Sequence, residues 1–396
     1  MINIDKKENC CGCTACMSIC PKKAIKMCPD EEGFLYPKID EKKCIHCGLC
    51  EKVCPILNKN NNNSLKIAKI VRAKDNNVLK QSTSGGFFTP LSEYFIDNDG
   101  FVFGALFEKN KIVHKGSNRK DILKQFRGSK YVQSDLNNSF IKIKKILDDD
   151  KYVLFSGTPC QVSGLKQFLM KDYEKLITVD VICHGTPSPL LFKHYVEYME
   201  RRYESKIRKI SFRNKTYGYH VGTMKIEFKN GKIYYGSART DFMLKSFFED
   251  ISSRPSCYNC NFKNKNHVSD FTIYDCWHAS KINSDIIDDD KGYTNLIINS
   301  KKGKNIFELI SDDYEVFNSD FEKVVDFDGI MVENNAKKNI MRDEFYKELN
   351  RNGIENAVQK YIPITKKDYF VENTKPYLYK LGLIKIAKKI KILLKR

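Results

Sequence analysis

Two runs of cysteines near the start of the chain constrain it more than any other feature. The first, "CCGCTACMSICP", spans Cys10 to Pro21, and the second, "CIHCGLCEKVCP", spans Cys44 to Pro55. Laid over one another, both read C-x2-C-x2-C-x3-C-P, so Cys10, Cys13, Cys16 and Cys20 match Cys44, Cys47, Cys50 and Cys54. A loop of this spacing offers three thiolates to one cubane, and its fourth cysteine opens a short helix that leads to the other cluster. The spacing therefore assigns Cys10, Cys13, Cys16 and Cys54 to one [4Fe–4S] cluster, and Cys44, Cys47, Cys50 and Cys20 to a second. Proline follows because the departing chain needs a fixed φ, and Gly12 and Gly48 let backbone N–H groups approach the sulfurs. Cys11 and Cys28 are left over. A pair of zinc knuckles is the alternative, but zinc sites usually pair two C-x2-C units across a longer loop.

Residues 1–57 resemble a bacterial-type ferredoxin domain. Between the arrays, "AIKMCPDEEGFLYPKID" alternates apolar and polar residues about a glycine-centred turn, which predicts a strand pair. The chain has 15 cysteines, an odd number, and its opening "MINIDKKENC" has no apolar signal region. Metal sites in a reducing cytoplasm are expected rather than disulfides. No apolar run approaches the roughly 18 residues of a membrane span, so none is expected. The net charge of +19 raises nucleic acid or an anionic membrane as partners. Yet the lysines are dispersed, with no strip of alternating basic and aromatic residues, and no nucleic-acid partner is expected.

"NKNNNNSLK" (58–66) reads as a polar, Asn-rich linker. Beyond it, "KYVLFSGTPCQVSGLKQFLM" and "KLITVDVICHGTPSPLLFKHYVEYMERRY" each join a short apolar run to a stretch of helical period. Two such units predict a parallel strand pair and a mixed α/β body. "MKIEFKNGKIYYG" predicts a hairpin turning at Asn230-Gly231. Both strand–helix junctions carry a cysteine, Cys160 and Cys183, and ligands in α/β sheets gather at the carboxyl ends of strands. A C-x2-C pair follows at Cys257 and Cys260. Three readings compete. The four cysteines hold a third [4Fe–4S] cluster, or Cys257 and Cys260 form a redox dithiol or part of a zinc site, or all are core cysteines and a turn.

Taken together, "STSGGFFTPL", "FRGSKYVQS", "FSGTPCQVSGL", "VICHGTPS", "FRNKTYGY" and "RPSCYNCNFK" resemble the coenzyme F420 hydrogenase/dehydrogenase beta-subunit family. They follow the family's order over about residues 66–280, and bacterial members commonly carry a two-cluster ferredoxin domain in front. The resemblance implies residues 67–150 and 151–330 as the N- and C-terminal parts of one body. It implies an iron–sulfur flavoprotein oxidoreductase with FAD, exchanging electrons with a redox partner protein or a small-molecule substrate. Bacterial relatives are associated with surface-polysaccharide pathways. On this reading Ser82, Thr83, Ser84, Gly85 and Gly86 form a turn that can set N–H groups against a flavin diphosphate, with a plain helix cap as the alternative. Arg127, Lys130, Arg213 and Lys215 become candidates for phosphate pairing. His184 becomes a candidate proton shuttle, or else a core histidine bonded to backbone. Where the family usually has Gly-Asp-x-Trp, this chain has Tyr274, Asp275, Cys276 and Trp277. Tyr274 in place of glycine is expected to alter a ligand pocket, and Cys276 is excluded from the ligands.

Residues 331–396 are expected to be a helical tail. In "KLGLIKIAKKIKILLKR", Leu383, Ile386, Ile390, Leu393 and Leu394 share one stripe among lysines. A basic amphipathic helix of this kind either docks on the body or lies on the inner face of an anionic membrane. The function expected is a flavin-dependent iron–sulfur oxidoreductase. An electron-transfer protein without its own substrate site is the alternative.

Overall fold

The computed structural model describes residues 2–58 and 65–383. Most of the Asn-rich linker, and the lysine-rich tail beyond Leu383, lie outside the described residues. Among the described residues no helix is long and apolar enough to cross a membrane.

The ferredoxin-type domain is built round one hairpin. Strands β1 (Ile25–Pro29) and β2 (Leu35–Ile39) pair antiparallel, as the alternation requires, with Ile25 opposite Ile39 and Met27 opposite Pro37. Short helices, Ala15–Ile19 and Leu49–Lys52, carry the third cysteine of each array. Both begin just after a residue in the left-handed region, Thr14 and Gly48. That reversal turns each loop back over its own cysteines.

The body is centred on eight strands. In chain order they are β3 (Ile67–Ala73), β4 (Phe101–Glu108), β5 (Lys111–Ser117), β6 (Val153–Gly157), β7 (Leu176–Val181), β11 (Phe271–Cys276), β12 (Tyr293–Ile298) and β13 (Tyr314–Ser319). Their order across the sheet is β13-β3-β12-β11-β7-β6-β4-β5. Strands β4, β6, β7 and β11 run parallel, and β12 is antiparallel to both β11 and β3. A second sheet holds β8 (Ile207–Asn214), β9 (Thr223–Phe228) and β10 (Ile233–Gly236). The β9–β10 hairpin turns at Asn230-Gly231 as expected, with Gly231 at φ +85°. Among the longer helices are α1 (Phe88–Asp97), α2 (Pro159–Leu169), α3 (Pro189–Tyr203), α4 (Arg342–Tyr361) and α5 (Lys366–Lys380). Helices α2 and α3 each begin at a proline, the position where its missing N–H costs nothing. The fold is mixed α/β, a small ferredoxin-type domain ahead of a larger body.

The two parts are fastened at the hairpin tip. Gly33, at φ +83°, lies so close to Leu190 that an added Cβ would stand 2.4 Å from the leucine Cβ. The Ser188 hydroxyl caps α3 and donates to the Glu32 carbonyl, and Asn350 donates to the Glu31 carbonyl at 2.9 Å. Arg342, at the start of α4, grips the Glu32 carboxylate with both terminal nitrogens and also donates to the Ser253 carbonyl at 3.0 Å. The side chains of Arg342 and Glu32 are only 3% and 12% exposed. Removing one partner of such a buried pair strands the other charge and costs about 3–5 kcal/mol. Arg342→Ala is therefore expected to lower the urea midpoint of the holoprotein. Adding Glu32→Gln should return part of that loss, because no unpaired carboxylate is then buried.

Candidate redox site

The cysteines line three cavities. The outer one, of about 400 Å³, is walled by Cys20, Cys44, Cys47 and Cys50 together with Ile25 and Ile39. The next, of about 340 Å³, is walled by Cys10, Cys11, Cys13, Cys16 and Cys54, with Met27 and Pro37 from the hairpin. The innermost, of about 630 Å³ counted to its open mouth, is walled by Cys11, Cys160, Cys183, Cys257 and Cys260. Each four-cysteine set expected from the sequence thus faces a single space. In the ferredoxin-type domain the fourth cysteine of each array crosses to the other array's cavity. The spaces adjoin one another. Cys16, Cys54, Cys20 and Cys50 pack in one apolar cluster between the first two, while Cys11 and Ile56 line both the second and the third.

The donor set fits cubane clusters. Backbone N–H groups point at these sulfurs: Ile2 to Cys50 and Ala24 to Cys20, each at 3.3 Å. Ala15 and Met17 do the same for Cys13 and Cys16, Ile56 and Leu57 for Cys54, Thr186 for Cys257, and Phe262 for Cys260. Such bonds favour a thiolate and tune a cluster's potential. Among the described residues no three His, Cys, Asp or Glu groups converge on one metal ion. A cubane needs no such convergence, because its cage holds the four sulfurs well apart. Burial, with repulsion from neighbouring sulfurs, pushes the Cys16 and Cys260 thiols up to about 12, a cost that bound iron offsets.

Cations face the innermost cavity. Arg254, Lys263 and His267 all line it. His267 was not singled out in the sequence. Burial opposes its protonation, but its partner Asp180, 2.8 Å away and fully buried, outweighs that and raises its pKa. The His267 Nε2 is itself buried without a protein partner. One signal was available: Asp180 interrupts the apolar run "LITVDV", and a charge in a buried strand needs a reason.

Local sequence explains why the inner cysteines meet. Strands β6 and β7 are parallel neighbours, so Cys160 and Cys183 emerge at the same carboxyl edge. Cys160 is the second residue of α2, whose Thr158–Gln161 capping box fixes the turn. Gly164 of α2 packs directly on the second cavity, since an added Cβ would lie 2.7 Å from the Cys13 Cβ. His184 lines the innermost cavity, bonds Asp250 at 2.5 Å and meets the Phe247 ring edge-on at 5.0 Å. Phe247 stacks on Tyr131 at 4.5 Å, and Tyr131 interacts with Arg213. His184 is therefore linked through two aromatic rings to the other candidate residues.

Those residues gather farther along the same edge. Arg213 pairs with Asp275 at 2.5 Å and lies over Trp277 at 4.6 Å, and Trp277 stacks on Tyr219. The Arg213 side chain is 8% exposed, and its Nη2 has no protein partner. A buried, unspent guanidinium N–H beside stacked rings fits a flat anionic group such as a flavin or its phosphates. The Ser82–Gly86 turn returns to β3, where the Gly85 carbonyl accepts from the Ala73 N–H at 2.7 Å. Glycine is required at 85, because a Cβ there would lie 2.3 Å from the Val71 carbonyl oxygen.

The other candidate residues make contacts within the protein. The turn is no side-chain helix cap, since Phe87 is the N-cap of α1 and makes no such bond. Its hydroxyls are spent within the protein: Ser82 on the Val78 carbonyl, Ser84 on Thr294 and Thr83 on the Ser129 N–H. Lys215 donates to the carbonyls of Leu79, Ser84 and Lys291, and Lys130 to those of Gln125, Phe126 and Arg127. Burial pulls both ammonium groups down to about 7, and their carbonyl contacts hold the loops together. Arg127 donates to Thr89 and Gln81. Tyr274 and Cys276 pack on the opposite face of β11 from Asp275, so the tyrosine does not fill the space beside Arg213.

Residues 150–323 match the family described as the C terminus of the coenzyme F420 hydrogenase/dehydrogenase beta subunit, and residues 9–57 match the 4Fe-4S dicluster domain. The chain thus joins a 4Fe-4S dicluster segment to a segment similar to that family's C terminus. It is an iron–sulfur electron-transfer protein related to hydrogenase and dehydrogenase subunits. Among similar proteins, an uncharacterized protein of Methanocaldococcus jannaschii is 24% identical over 76% of this chain and 86% of its own length. An uncharacterized polyferredoxin-like protein of the same organism is 38% identical over 13% of this chain and 34% of its own length. A chain of the F420-reducing [NiFe] hydrogenase complex from Methanosarcina barkeri is 16% identical with a TM-score of 0.46, over 75% of this chain and 91% of that one.

The contact between Gly164 and Cys13 gives a test. Gly164→Ala is expected to drive Cys13 out of the second cavity, and bound iron should fall by about four atoms per chain. A colorimetric iron assay on protein purified without oxygen reads this directly.

Proposed function

We propose that this chain is a member of the F420 hydrogenase/dehydrogenase beta-subunit family and an iron–sulfur flavoprotein oxidoreductase with three [4Fe–4S] clusters and one FAD. Cys44, Cys47, Cys50 and Cys20 hold the outer cluster, Cys10, Cys13, Cys16 and Cys54 the second, and Cys160, Cys183, Cys257 and Cys260 the innermost. One observation carries this reading: three adjoining spaces, each faced by one complete four-cysteine set and two of them also by Cys11, lead from the surface to the carboxyl edge of the parallel strands. An isolated C-x2-C dithiol or core cysteines would not require Cys160 and Cys183, from two further segments, to face the same cavity.

The flavin is assigned to the Arg213 end of that edge. FAD supplies the exchange between single electrons and pairs that clusters alone lack. Asp275 fixes the Arg213 guanidinium and leaves its Nη2 turned to an anion. Lys215 braces the Ser84 turn from behind, and Tyr219 and Trp277 give a stacked wall that excludes water. His184, held by Asp250, stands between the innermost cavity and this wall and is the group placed to hold a proton there. The partner substrate is a carrier that takes or gives an electron pair, the class to which F420, named in the family's description, belongs.

Protein purified without oxygen should carry about twelve irons, the content of three [4Fe–4S] clusters, and one flavin per chain. Cys257→Ala should lose about four irons and keep the spectrum of the other clusters. About eight irons with no flavin would instead describe a relay protein that passes electrons to a partner enzyme.

A further inference from the structure

The outer cavity reaches the surface. Cys47 alone among the fifteen cysteines is exposed, and beside it Ile45 is 55% exposed. Lysines surround this apolar point. Lys22 lines the cavity itself, and Lys23, Lys42 and Lys43 are exposed on the segments that frame it. On the hairpin that backs the cavity, Lys26 stands directly opposite Lys38, and both are exposed. Like charges facing across an antiparallel pair destabilise it, so the fold tolerates a local cost at this place. Among the described residues Lys22, Lys23, Lys26, Lys38 and Lys42 make no ion pair, whereas Lys43 meets Asp40 at 3.2 Å. Exposed Glu41 is the other nearby acid on the loop.

We propose that this face is the docking surface for an acidic electron-carrier protein, which brings its redox group against Cys47. An apolar centre within a charged rim is the anatomy of a protein interface. A rim in which lysines outnumber acids speeds the approach of an acidic partner. A nucleic acid would need aromatic platforms on which bases stack, and the loop from Lys42 to Leu49 has none but His46. The transfer moves one electron from the reduced carrier to the outer cluster. The carrier is oxidised, the cluster is reduced, and no bond or proton changes hands.

The proposal rests on the outer cysteines holding a cluster, so two measurements keep the ideas apart. The probe is an acidic plant-type ferredoxin. Calorimetric binding of its oxidised form reads the surface whether or not a cluster is present, while the iron content of the same sample reads the cluster. Stopped-flow reduction of the holoprotein by reduced ferredoxin should slow as salt rises. The triple variant Lys22→Glu, Lys42→Glu, Lys43→Glu should slow it by about tenfold or more at low salt and weaken binding, with iron content unchanged. Reduction by the cationic methyl viologen radical should not slow. The same charge change made far away, at Lys337, Lys366 and Lys367, should have little effect. A salt-independent rate in the wild-type protein would overturn the proposal, as would equal slowing by the distant variant. Loss of iron in the wild-type protein with binding intact would overturn the cluster and leave the docking surface standing.

Discussion

Beside the seated hairpin tip, a buried arginine ties the two halves of this molecule together at the first cysteine loop. Arg254 is 1% exposed, and each of its three guanidinium nitrogens donates a hydrogen bond. Its Nε donates to the Cys10 carbonyl at 2.7 Å, one terminal nitrogen to Gln133 at 3.1 Å and the other to the Leu35 carbonyl at 3.0 Å. Its flat face lies 4.0 Å over the Tyr36 ring. The guanidinium thus holds the first cysteine loop and the ferredoxin hairpin, while its own backbone sits three residues before Cys257. Gly12 has no side chain because a Cβ there would lie 2.6 Å from Gln133 and 3.1 Å from this guanidinium. Charged hydrogen bonds of this kind are among the strongest a protein makes, and they offset the cost of burying the guanidinium.

The same residue is part of an electrostatic design. A space faced by four thiolates is a place where negative charge accumulates, and burial makes that accumulation expensive. The protein answers with cations on the wall of the innermost cavity: Arg254, Lys263 and the His267 held by Asp180. Farther along the sheet edge, Arg213 repeats the motif with Asp275 behind it. In both places a carboxylate, fully buried at Asp180 and partly buried at Asp275, steadies a cationic group that keeps a nitrogen without a protein partner.

The sequence disclosed the parts whose logic is local. Ligand spacing in the two arrays, the alternation of the hairpin and the strand–helix period about Gly157 and Pro189 all act over a few residues, and the structure follows them. Meeting places were less legible. That Cys160, Cys183, Cys257 and Cys260 face one cavity depends on the pairing of β6 with β7 and on a loop seventy residues farther on. Lys130 and Lys215 have the composition of phosphate ligands, yet the folded loops present them with carbonyls first. Nothing local marks Arg254, because its partners are the backbones of Cys10 and Leu35. Cys11 looked surplus beside a complete ligand set. In the fold its sulfur meets both Cys13 and Cys160, in the wall between two cavities.

An Asn-rich linker invites the picture of a domain on a tether. The seating of Gly33 against Leu190, with Glu32 gripped by Arg342, removes that freedom. The ferredoxin domain is a fixed segment of conduit rather than a courier, and the gaps along it are set once, when the chain folds. Traffic through such a conduit is metered at its two ends. Lengthening the linker would leave the gaps unchanged for as long as the hairpin tip stays seated.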